Sequence, residues 1–157
     1  MARILALRFA IDGHRYALDT RDVVEVISRV ELRPIHRAPA ELSGMFVYRG
    51  EVTPVVDLVQ LLAGKRCPER LSSRILMTVL PSRSGGTWIV GLLAEQVTEA
   101  VHIEQSENPT RATVSPNDLR HGEVTADDAG MIRLLRPESL VDATWQDALS
   151  LGSRVQS

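Results

Sequence analysis

An all-β fold of small barrels, closed by one terminal helix, is what this sequence predicts. Short apolar runs recur along its 157 residues, turn-forming residues separate them, and a sustained helical period arises only near the C-terminus. This pattern favours barrels, which leave no free strand edge, over a parallel α/β sheet, which needs a helix after each strand. With 44% hydrophobic residues the chain can bury one substantial core. One domain is therefore expected over residues 1–150, its lobes divided near 63–73 and tied by the C-terminal helix, with a frayed tail at 151–157.

Residues 3–10 alternate, with Leu5, Leu7 and Phe9 on one face, and Asp12-Gly13 supplies a tight reversal into Tyr16-Ala17-Leu18. Residues 21–27 are short and β-branched and read as extended, with a single helical turn near Thr20 as the alternative. Pro34 and Pro39 make the following stretch a loop. Met45 to Tyr48 and Glu51 to Val56 read as two strands around Arg49-Gly50. Asp57 is placed to cap a short helix over Leu58 to Leu62, and Ala63 to Ser73 reads as the connection between lobes. Strands follow over 74–80, 87–93 and 96–103. Residues 104–118 lack any period and read as a long loop. The runs 119–125 and 131–135 flank the turn Asp127-Asp128-Ala129-Gly130 as a last hairpin. Pro137 then opens a helix to about Leu149, with Leu140, Val141, Trp145, Ala148 and Leu149 as its apolar stripe.

The composition excludes several classes of function. The formal charge of −2 is spread along the chain without a basic run, which argues against nucleic acid. No stretch has the form of a signal peptide or the length of a membrane span, so a cytoplasmic protein without direct membrane insertion is expected. Cys67 is the only cysteine and reads as a free thiol in a loop. His14, His36, His102 and His121 have no metal-ligand spacing, and no serine elbow or phosphate-cradling glycine motif is present. Glu31 with Glu41, or Asp127 with Asp128, are better read as a turn or solvated face than as acid/base pairs. No enzyme, metal or cofactor is expected.

The stretch Gly44-Met45-Phe46-Val47-Tyr48-Arg49-Gly50-Glu51-Val52-Thr53-Pro54-Val55-Val56-Asp57-Leu58 resembles the hallmark of the CheW family. That hallmark is a glycine, a hydrophobic run ending in Arg-Gly, then a proline, two hydrophobic residues and Asp-Leu. Asp19, Val23, Glu25 and Val26, the Ile35 to Pro39 loop, Gly91 to Val97 and Gly122 extend the likeness over residues 3 to 142. Tyr48 stands where the family commonly has leucine, Val47 where it has asparagine, and His36 where it often has proline. Tyr48 to Leu58, together with Leu71 to Leu76, is also similar to CheW-like proteins of surface-sensing, biofilm-associated pathways of the Wsp type.

The resemblance implies two five-stranded, SH3-like barrel lobes in one CheW-like domain. It implies a non-catalytic adaptor that couples the cytoplasmic tip of a methyl-accepting chemoreceptor to the regulatory domain of a CheA-type histidine kinase. Other CheW-like domains are further partners, and recruitment to membrane arrays would come through them. Val23, Ile75, Gly91, Val97 and Ala100 match the family's receptor groove; strand periodicity alone makes Ile75 and Val97 barrel core. Gly91 would admit a close helix backbone. Glu25, Leu32, Gly44 and Arg49 match positions of kinase docking and signal coupling, with Glu25 and Arg49 expected to pair. The rival from another class is a stand-alone small-ligand-binding or oligonucleotide-binding β-barrel. It would need a clustered aromatic or basic face, and the two Trp, two Tyr and two Phe do not cluster.

Overall fold

The computed structural model describes residues 2–105, 122–142 and 145–146. In chain order these form β1 (Ala2–Ile11), β2 (His14–Asp19), a 3-10 turn (Thr20–Asp22), β3 (Val23–Ser28), β4 (Leu42–Tyr48), β5 (Glu51–Asp57) and α1 (Leu58–Ala63). There follow β6 (Arg74–Pro81), β7 (Thr87–Ala94), β8 (Ala100–Gln105), β9 (Glu123–Asp127), β10 (Gly130–Leu135) and α2 (Pro137–Leu140). The strands make two five-stranded sheets, ordered β8-β1-β2-β10-β9 and β3-β6-β7-β5-β4. Each sheet has three antiparallel pairings and one parallel pairing, β2 with β10 in the first and β5 with β7 in the second.

Both sheets curl until their end strands meet. In the first, the Thr125 hydroxyl of β9 donates to the Glu104 carbonyl of β8. In the second, Arg33 and Met45 exchange backbone hydrogen bonds of 2.8 and 2.9 Å just beyond β3, and the Tyr48 hydroxyl of β4 reaches Glu25 of β3. Closure satisfies edges that would otherwise template association.

The lobe boundary differs from the expected one. Residues 63–73 connect β5 to β6 inside the second sheet, and the chain passes between sheets at residues 20–22 and 95–99. Local apolar runs announce strands but carry no record of a parallel partner far along the chain, so the halves of the sequence look like lobes when they are not. The expected strand from Gln96 begins only at Ala100, because residues 95–98 follow the flank of β1: Thr98 N donates to Arg8 O at 2.9 Å. The helix from Pro137 stops at Leu140, with Val141 extended at φ −113°, ψ 122°. Trp145 and Gln146 are helical again and Trp145 is buried, while Ala148 and Leu149 lie outside the described residues. So do 106–121, most of the expected long loop, and residues 151–157.

Both faces of β1 are used. Ile4 and Ala6 fill the first barrel with Ala17, Ile103, Ile132 and Leu134. The opposite face, expected as Leu5, Leu7 and Phe9, runs from exposed Leu5 through part-buried Leu7 to buried Phe9, which with Ile11, Tyr16 and Leu18 belongs to a larger core shared with the second sheet. Phe9 and Tyr16 stack there at 5.8 Å. Leu140 and Trp145 join that shared core, and the Gln146 side chain bonds Ser82 Oγ and Arg83 N at 2.7 and 3.2 Å. The segment after β10 therefore packs on the other lobe.

Asp57 explains its place in the motif. Its buried carboxylate accepts from Val59 N (2.9 Å) and Gln60 N (3.1 Å) through Oδ1, capping α1, and from Cys67 N (2.8 Å) through Oδ2. Pro54 stands one residue before the ladder to β7 begins at Val55, where β5 has a neighbour on one side only and no N–H is missed. Cys67 is free and buried, and burial pushes its thiol above the ordinary range, which disfavours the nucleophilic thiolate. Asp127 is a staple: Arg8 (3.1 Å) and Arg15 both reach its Oδ2, and Ala129 N donates to Oδ1. Burial opposes its ionisation, but the two guanidinium hydrogen bonds outweigh that and hold its carboxyl below the usual range.

Asp57→Ala removes the cap and strands the buried N–H of Cys67, so the urea midpoint should fall by the equivalent of about 2–4 kcal/mol with an unchanged m-value. Because the folded pKa of Asp127 lies below its unfolded value, its contribution is complete above the ordinary carboxylate range and is lost as pH falls through the lowered value. Urea melts between pH 6 and 2.5 should show a shallower acid loss for Asp127→Asn than for the parent.

Candidate functional site

The β4–β5 hairpin turns on two residues in positive φ, Arg49 at +50° and Gly50 at +83°, the primed geometry that matches strand twist. Tyr48 and Glu51 face each other below this turn. Val47 and Val52 form an exposed cross-strand pair beside it, at 67% and 58% accessibility. Across the closure seam, β3 carries a bulge in which Val24 is the extra residue, leaving Val24, Glu25 and Val26 all exposed. The bulge turns Glu25 toward the hairpin. Its Oε2 accepts from the Tyr48 hydroxyl and from Arg49 Nη2 at 3.2 Å, and the Arg49 guanidinium lies 5.1 Å from the centre of the Tyr48 ring. The Arg49 and Glu25 side chains are 62% and 43% exposed, so the pair by itself contributes under about 1 kcal/mol. Burial and the bond to Glu25 together push the Tyr48 phenol above its ordinary range.

The expected Leu32 and Gly44 also come together. A Cβ on Gly44 would stand 2.8 Å from both Leu32 Cβ and Arg33 O, so only glycine lets the 32–33 segment cross the β4 bulge. The four residues Glu25, Leu32, Gly44 and Arg49 thus line one closure seam, where β3 and the segment after it meet β4. Sequence reasoning missed Tyr48, which holds the seam together; its departure from the family's leucine was the available signal.

Of the five residues expected in a receptor groove, three lie at the crossings between sheets. Val23 follows the first crossing, Val97 lies in the second, and Ala100 opens β8 beyond it. Val23 and Val97 are part-buried against the shared core, and Ala100 is exposed. Both crossings flank β1, through Thr20 Oγ1 to Leu5 O at 3.0 Å and Thr98 N to Arg8 O. Leu7, which pairs with Ala100 and is part-buried, belongs to the same surface and was not foreseen.

Ile75 and Gly91 are elsewhere. Ile75 is fully buried inside the second barrel, and a Cβ on Gly91 would stand 2.7 Å from Ile75 Cγ2 and 3.2 Å from Val55 Cγ2. Gly91 makes room for this chain's own core, and the Ile75 side chain is taken up in it. The reason is inward alternation on two adjacent antiparallel strands, which places both on the interior face.

A cavity of about 440 Å³ is lined by Ile11, Asp12, His14, Tyr16, Leu62, Ala63 and Arg133, and another of about 330 Å³ by Asp19, Arg21, Asp22, Leu134, Leu135, Arg136 and Glu138. Neither contains any of the nine residues discussed above. Among the described residues no cluster of His, Cys, Asp or Glu is placed to hold a metal, and no helix is long and apolar enough to cross a membrane.

The family model of the CheW-like domain matches residues 5–144. The chain is 24% identical over 135 residues to the chemotaxis protein CheW of Helicobacter pylori, covering 85% of this chain and 78% of that one. It is 28% identical over 89 residues to the protein FrzA of Myxococcus xanthus, covering 57% and 52%. In structure it superposes on the scaffolding protein TtCheW of Thermoanaerobacter tengcongensis with a TM-score of 0.69, 23% identity, and coverage of 91% and 92%.

Gly91→Ala should overpack the second barrel and lower unfolding stability by about 1–3 kcal/mol. Chemical denaturation checks this; a variant as stable as the parent would show that the interior has slack at this position.

Proposed function

Because the chain belongs to the CheW-like domain family, we propose that it is a non-catalytic adaptor coupling a chemoreceptor to a CheA-type histidine kinase within a cytoplasmic signalling array. The family match over residues 5–144 carries this reading. The kinase regulatory domain docks on the seam of Glu25, Leu32, Gly44 and Arg49, where a semi-exposed charge pair stands beside the apolar face of Val24, Val26, Val47 and Val52. Mixed apolar and arginine surfaces of this kind suit a protein partner. The receptor's helical tip packs at the crossings between sheets, on Leu7, Val23, Val97 and Ala100. An adaptor needs two surfaces and a rigid body between them, and no reacting group is required.

Calorimetry with the cognate kinase regulatory domain should give a Kd of tens of micromolar or tighter, about 6 kcal/mol or more. Arg49→Glu should weaken binding at least about tenfold with a melting temperature within about 4 °C of the parent, since an exposed pair carries little folding energy. Absence of binding by the parent protein would defeat the proposal.

A further inference from the structure

The Glu25–Arg49 pair is open to solvent and its arginine sits on a two-residue turn, conditions under which long side chains ordinarily sample many rotamers. Arg49 is also in the left-handed region at φ +50°, which a non-glycine residue other than Asn or Asp seldom occupies. Such a conformation persists only where surrounding contacts determine it. The hairpin turn sets that backbone, and Tyr48 supplies the side-chain contact that Glu25 and Arg49 share. Tyr48 is 7% exposed, so its ring is fixed by packing; its hydroxyl donates to Glu25 Oε2, and its ring carries the Arg49 guanidinium 5.1 Å from its centre. Phe46 supports the ring at 6.0 Å in a tilted contact. A leucine in place of Tyr48 could neither donate nor stack.

We propose that Tyr48 is the positioning residue of the kinase-docking seam, presenting Glu25 and Arg49 as one charge pair of fixed geometry. This rests on the docking surface proposed above. Tyr48 makes one of the closure bonds of the second barrel and the orientation of the docking charges a single contact, so binding avoids the entropy cost of ordering two free side chains.

The test has an arm in the free protein and an arm in the complex. A double-mutant cycle of Glu25→Ala and Arg49→Ala, read as unfolding equilibrium, should show coupling of about twofold or more with Tyr48 present and clearly less in the Tyr48→Phe background. With tyrosine labelled at Cζ, NMR titration should show the Tyr48 phenol ionising at lower pH in Glu25→Gln, because loss of the carboxylate acceptor removes one cause of its raised pKa. The signal is assigned by its absence in Tyr48→Phe. Tyr48→Phe and Tyr48→Leu should each weaken kinase-domain binding at least about threefold. Equal coupling in both backgrounds, or a phenol midpoint that ignores Glu25→Gln, overturns the positioning role, as does parental affinity in Tyr48→Leu. Failure of the parent to bind the kinase domain would defeat the docking reading instead, and the free-protein arm would still decide whether Tyr48 orients the pair.

Discussion

The parallel pairing of Tyr16, Ala17 and Leu18 with Arg133, Leu134 and Leu135 is the constraint on which the architecture depends. It draws strands from the two ends of the chain into one barrel and leaves everything between β2 and β8 to form the other. Closing so long a loop costs entropy, which the packing of the first barrel on its neighbour helps to offset. That neighbour is local in sequence: β3 to β7 are consecutive, and their barrel contributes most of the shared core. Phe9, Ile11, Tyr16 and Leu18 bury one face of the β1–β2 hairpin against this core, while Ile4, Ala6 and Ala17 fill the smaller barrel with the opposite face. A hairpin buried on both sides is what binds the lobes into one body.

This division also accounts for what could be read from the sequence. Strands and turns are local properties, so the hairpin at Asp12-Gly13, the paired strands around Arg49-Gly50 and the cap at Asp57 are written in neighbouring residues and were legible. Sheet membership is not local. Nothing within residues 63–73 records that Val55 pairs with Gly91, so that segment resembles a boundary although it lies within one lobe. The C-terminal helix misled in a different way: Leu140 and Trp145 were both read into one apolar stripe, and both are buried, yet the backbone leaves the helix at Val141. Apolar spacing specifies burial, and more than one backbone path can achieve it.

The candidate site divides along the same line. The resemblance identified Glu25, Leu32, Gly44 and Arg49, and they gather on one seam; the glycine works there by steric necessity, since the 32–33 segment passes where its Cβ would be. Strand alternation made Ile75 and Val97 barrel core: Ile75 is fully buried, with Gly91 packed against it, and Val97 is part-buried against the shared core. Tyr48 escaped both approaches. A motif records which residue types recur, and a substitution that adds a cross-barrel bond, made to a strand more than twenty residues away, is visible only when the barrel is closed.

The two surfaces assigned to partners share a strand. Val23 opens β3 at the crossing between lobes and packs on the shared core; Glu25 lies two residues further on, beyond the bulged Val24, and faces the hairpin tip. Two residues of strand span about 7 Å, so a shift of the crossing that rotates β3 also moves Glu25 relative to Tyr48 and Arg49. No extended relay through the barrel is required to connect the surfaces. Rigidity matters on each side of that short link: the core fixes Val23, the Tyr48 hydroxyl holds Glu25, and the bulge is the irregular element between them. Val24 itself is exposed and has no register partner, so it belongs to neither set of contacts.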